Sequence, residues 1–104
     1  MEQNNEFLKQ YMIEFDVPQP LTDDFLDMIP DQREALDHLF ATGKLLSYTV
    51  SSDRSRVWAV MIAESESELI TYIDELPMTP YMDYDYSELM FYNTVHLMPA
   101  MSLN

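Results

Sequence analysis

The segment "SRVWAVMIA", residues 55–63, is apolar on both faces of an extended chain. Successive side chains of a strand point to opposite sides. Val57, Ala59 and Met61 therefore face one way, and Trp58, Val60 and Ile62 the other. A strand of this kind has to be covered on both faces. With 104 residues, the chain has room for one domain and one two-layer core. A chain of that size buries about 65% of the surface its unfolded form would expose. Its own helices can cover one face of a sheet, and the other face needs a second body.

The flanking segments fill in the layers. Residues 6–17, "EFLKQYMIEFDV", alternate from Tyr11 onward, with Tyr11, Ile13, Phe15 and Val17 opposed to Met12, Glu14 and Asp16. That predicts a first strand, ended by Pro18 and Pro20. Thr22 is placed to cap a helix, with Asp23 and Asp24 at the positive end of its dipole. The apolar stripe of that helix is Leu21, Phe25, Met28/Ile29, Leu36 and Leu39/Phe40. Pro30 inside it would cost about 3 kcal/mol. A break is expected there, with Pro30 at the first position of the main segment. Gly43, the one glycine of the chain, suits a left-handed C-cap.

"KLLSYTVSS" (44–52) and the opening strand form a hairpin across Ser52 to Ser55. Ser65 and Glu68 make a capping box for a second helix, with stripe Leu69, Tyr72/Ile73 and Leu76. Pro77 stops it, Pro80 stiffens the crossover, and Met82 to Asn93 is the fourth strand. Along that strand Tyr84, Tyr86, Met90 and Tyr92 share one face, and Asp83, Asp85, Leu89 and Phe91 the other. The order strand, helix, strand, strand, helix, strand is the split βαβ of ferredoxin-like α+β domains. The expected core is 6–93, in a single domain spanning 1–104. The apolar tail 94–104 is either frayed or laid on another subunit. The uncovered face predicts sheet-on-sheet pairing with a second copy, giving a homodimeric α+β barrel.

Charge narrows the partners. Nineteen acids against five bases leave a net charge of −14, which argues against nucleic acid and anionic membranes. Hydrophobic residues nonetheless make up 47% of the chain, too many for a disordered acidic protein. There are no cysteines, so disulfides and thiolate metal sites are excluded. The start, "MEQNNEFLKQ", has no basic region followed by an apolar one. A cytoplasmic location is the expectation.

Gly43-Lys44, "AESESEL" (63–69) and above all "LPMTPYMDYDYSEL" (76–89) resemble the muconolactone isomerase family of dimeric α+β barrels. Its members carry a Leu-Pro-x-x-Pro-Tyr-Met-Asp segment followed by alternating strand residues. The resemblance covers about residues 20–92, and Leu76 to Asp83 is its specific part. It implies a cofactor-free isomerase that moves a proton on a small unsaturated lactone, often as a ring of dimers. The family's second strand is rich in Trp, His and Arg, with a His in the following turn. Here that strand is "LLSYTV" (45–50), Tyr48 is its only large polar-capable side chain, and the turn carries Asp53 and Arg54. The alternative is therefore a non-catalytic barrel, binding or structural, that has lost the family's site. A heme- or quinol-handling monooxygenase barrel shares the architecture without the specific segment.

A proton-shifting site needs a base and a donor or cation at the developing enolate. The candidate bases are His38, at the margin of the first helix's stripe, and Glu14; the bland alternatives are a boundary histidine and a solvated strand edge. His96 lies in the tail and would matter only if the tail closes over a neighbour's pocket. Tyr48, Arg56, Trp58 and Tyr81 are candidates to bind a small carboxylated substrate, against plain core or surface ion pairs. Arg33 and Arg54 complete the arginines, and ion pairing with the surplus acids is the expectation for all three. Glu14 with Asp16 and Asp83 with Asp85 share strand faces, but no calcium-type loop surrounds them and no metal is expected. The serine-rich stretches lack the glycine elbow of a nucleophile, and one glycine cannot build a phosphate loop.

Overall fold

The structure, a computed structural model, describes residues 8–90. Strand β1 runs Lys9–Asp16, and helices α1 and α2 run Asp23–Leu26 and Ile29–Ala41. The hairpin is β2 (Leu45–Val50) and β3 (Arg56–Ala63). Helix α3 (Glu66–Asp74), a 3-10 turn (Thr79–Tyr81) and β4 (Asp83–Leu89) follow. The strands form one antiparallel sheet in the order β2-β3-β1-β4. This is the ferredoxin-like α+β arrangement, with β1 and β3 central.

Local chemistry places the helix ends. The Thr22 hydroxyl accepts from the Phe25 N–H at 3.2 Å, capping α1. The break before Pro30 divides the expected helix into two, and Pro30 is the second residue of α2. Gly43 has φ +77°. There the Lys44 N–H bonds the Leu39 carbonyl and the Gly43 N–H bonds that of Phe40, the paired closure of a Schellman cap. The Ser65 hydroxyl accepts from the Glu68 N–H, while the Glu68 carboxylate reaches the Glu64 N–H at 2.7 Å. Helix α3 stops three residues before Pro77, and Pro80 lies inside the 3-10 turn.

The register explains the run of tyrosines alternating with aspartates. Tyr84 pairs with Phe15 and Tyr86 with Ile13, so both tyrosines lie on the helix-covered face. Tyr86 meets Tyr11 edge-on at 6.2 Å, and its hydroxyl donates to Glu66 of α3. That face holds the core: Tyr11, Ile13 and Phe15 of β1, Ala59 and Met61 of β3, and Leu39, Leu69 and Ile73 of the helices are all buried.

No element covers the opposite face among the described residues. It carries Met12 on β1 and Trp58, Val60 and Ile62 on β3, with Met12 36% exposed. Its other end is acidic. Asp83 stands opposite Asp16, and Asp85 opposite Glu14. Arg56 answers two of these charges, pairing with Glu14 and lying 3.6 Å from Asp16. The tail, including His96, and the last part of the expected fourth strand lie outside the described residues.

Candidate functional site

The break between α1 and α2 opens a cleft of about 380 Å3 between these helices and the β2–β3 end of the sheet. Phe25 and Leu36 come from the helices, Val57 from β3, and Met78 and Met82 from the segment around the 3-10 turn. At the mouth Leu26, Ile29 and Val50 are 37%, 41% and 51% exposed. The walls are thus largely apolar from floor to rim, and the cleft is in the size range of small-molecule pockets.

One polar pair enters this apolar space. Gln32 of α2 is 4% exposed. Its side-chain oxygen accepts from the Met78 N–H at 3.0 Å, and its amide group donates to the Tyr48 hydroxyl at 3.4 Å. The first bond fixes the amide orientation, because the oxygen must face Met78. The amide therefore keeps one N–H and the phenol keeps its own hydrogen, and these are the donors available to a ligand. Burial pushes the Tyr48 phenol above its ordinary pKa, with the bond from Gln32 opposing. At neutral pH Tyr48 is therefore a neutral hydrogen-bond donor.

The other ionisable side chains lining the cleft are Arg33 of α2 and Arg54 of the hairpin turn. Arg54 has φ +64°, a left-handed conformation costing a non-glycine residue roughly 1 kcal/mol. Its turn is tightly bonded. The Asp53 carboxylate accepts from the Ser51 and Ser55 hydroxyls, each at 2.7 Å, and from the Ser55 N–H at 3.0 Å. Those bonds hold the Asp53 carboxyl down at about 2. The Gln19 side chain ties the loop after β1 to the Arg54 carbonyl at 3.3 Å.

Of the candidate bases His38 and Glu14 and the candidate binders Tyr48, Arg56, Trp58 and Tyr81, the structure brings Tyr48 into the cleft. Glu14 and Arg56 are ion-paired to each other on the open sheet face, and Trp58 is on that face too, opposite Glu14. Tyr81, 57% exposed, lines a second depression beside Asp16 and Asp83. His38 is exposed on α2, where its carbonyl accepts from the Thr42 hydroxyl. Among the described residues no group of three or more His, Asp or Glu is placed to hold a metal ion.

Sequence reasoning passed over Gln32, although a signal was present. Gln32 occupies the one turn of the first helix where the apolar stripe skips a residue. The ion pairing expected of the arginines is found at Arg56 among the described residues, while Arg33 and Arg54 border the cleft.

The sheet order and the helices on one face define a ferredoxin-like α+β domain with a cleft under its helices. The chain matches the muconolactone delta-isomerase family over residues 7–93. It belongs to that family. No curated protein matches it.

Proposed function

We propose that the cleft receives the substrate in a muconolactone isomerase-type barrel, the substrate being a carboxylated lactone or related small ring compound. The observation that carries this reading is the Gln32–Tyr48 pair, hydrogen-bonded inside a largely apolar cleft. A ring carbonyl seated there would take hydrogen bonds from the neutral phenol and the free amide N–H. Both donors would strengthen as negative charge develops on that oxygen. Removing one such donor from an enolate-forming site costs on the order of 10²–10³ in turnover. Proton abstraction also requires a base, and the ionisable side chains lining the cleft among the described residues are Tyr48, Arg33 and Arg54. That lining favours a second reading, a barrel that binds such compounds without turning them over. A base could come from outside the described residues or from a second subunit.

The open sheet face supports a homodimer in either reading. Met12, Trp58 and Ile62, exposed or half-buried in the single chain, would be covered by the same face of a second copy, the isologous contact of two-fold pairs. The test of function is direct. Muconolactone is incubated with the protein and with Tyr48→Phe, and both turnover and heat of binding are followed. Turnover lost in Tyr48→Phe with binding retained supports the isomerase. Binding without turnover supports the second reading. Neither binding nor turnover, repeated across a set of lactones, would remove the cleft from consideration.

A further inference from the structure

The strained hairpin residue points to a task of its own. Hairpin turns that need a left-handed residue take glycine, asparagine or aspartate almost as a rule. This turn spends arginine there instead, at φ +64°. Asp53, bonded to both flanking serines, makes the turn rigid, and Gln19 holds the Arg54 carbonyl from the other side. Rigid support around an unfavourable conformation is how proteins keep a side chain aimed. Arg54 lines the cleft. In a chain with nineteen acids and five bases, both ion pairs among the described residues use Arg56.

We propose that Arg54 is the residue that selects a carboxylate at the mouth of the cleft, with Arg33 of α2, which also lines it, as a second, weaker contact. The inference rests on the cleft being the small-molecule site. It adds the orientation of the ligand: acid group outward at the guanidinium, uncharged body inward against Leu36, Val57 and Met78. A planar guanidinium that is always charged suits a carboxylate better than a point charge does. The body that fits is largely hydrocarbon. Gln32 has its oxygen engaged by Met78 and one N–H by Tyr48, which leaves two donors, the second amide N–H and the phenol hydrogen, enough for one carbonyl oxygen. A ligand ringed with hydroxyls would lose its water without compensation. The acids selected are thus monocarboxylates with an otherwise apolar body.

The probes are trans-cinnamate and its uncharged methyl ester, titrated calorimetrically into the intact protein, Arg54→Gln and Arg54→Gly. Cinnamate should bind wild type more tightly than the ester. Both variants should lose about tenfold in cinnamate affinity, the lower end for a charge-assisted hydrogen bond because the guanidinium is exposed. The ester should bind all three proteins alike. Arg54→Gly relieves the backbone strain, so its Tm should be at or above that of wild type while its acid binding falls, a combination that a purely structural arginine would not produce. Equal loss of acid and ester, or unchanged cinnamate affinity in Arg54→Gln, overturns the assignment and leaves the cleft standing as a site. Failure of both probes to bind wild type overturns the assignment together with the reading beneath it.

Discussion

Replacing Gln32 with methionine isolates the one buried polar contact that joins α2 to the segment after α3. The two side chains are close in length and volume, so the cavity and overpacking terms stay small. What is lost is the acceptor for the Met78 N–H, a bond of 3.0 Å between buried partners. An unpaired buried N–H costs about 1–3 kcal/mol. The second bond, to the Tyr48 hydroxyl at 3.4 Å, is long for its type and contributes about 0.5 kcal/mol or less. The expected destabilisation of Gln32→Met is therefore about 1–3 kcal/mol, and that of Tyr48→Phe below about 0.5 kcal/mol. For a domain of this size each kcal/mol lowers Tm by about 4–8 °C. Urea unfolding at fixed protein concentration reads the difference, with the midpoint shifted and the slope unchanged. Gln32→Met within about 0.5 kcal/mol of wild type would refute the reasoning. So would a Tyr48→Phe loss as large as that of Gln32→Met, because the phenol contact would then be the stronger of the two.

Gly43→Ala meets no atom within 4 Å of the added methyl, so its cost is conformational alone, about 1 kcal/mol, and thermal unfolding should show a correspondingly lower Tm. Asp53 has its folded pKa lowered from 3.8 to about 2. Its stabilising contribution is thus complete above the unfolded value and lost as pH falls through the folded one. The stability difference between wild type and Asp53→Asn should accordingly shrink across that window, and a difference constant with pH would count against the serine network. If a second copy covers the open face, light scattering should give at least twice the 12.3 kDa chain mass, and Trp58→Asp should shift the population toward monomer. Wild type at the chain mass would refute that pairing.

The features readable from sequence are those whose cause lies within a few residues. Thr22 precedes an acidic first turn, Ser65 stands three before Glu68, and Gly43 closes the stripe of α2. Each is a local hydrogen-bond or dihedral problem with few solutions, and each appears where expected. The extra break at Asp27–Met28 follows from the same logic, since Pro30 tolerates a helix only within its first turn. The site was less legible because its members meet through register and layer packing. Strand alternation places Arg56 on the Trp58 face, but its partner Glu14 follows from the β1–β3 register, which no local pattern encodes. Tyr48 could be picked out as the polar side chain of an otherwise unremarkable strand. Gln32 needed the helix to be docked on that strand before its amide acquired a meaning.

The alternating aspartates of β4 also bear on how the sheet ends. β4 is an edge strand, and its free row of backbone groups is a template on which a further strand could grow. Asp83, Asp85 and Glu88 are exposed along it, and any incoming chain would have to bring its own backbone beside three carboxylates. The other edge, β2, is six residues long and slips register between Leu45 and Ser47, which spoils it as a ladder. Both borders thus carry features that disfavour strand addition. If a second copy covers the open face, contact through the broad side of the sheet, at Trp58 and its neighbours, would join two chains without extending the ladder.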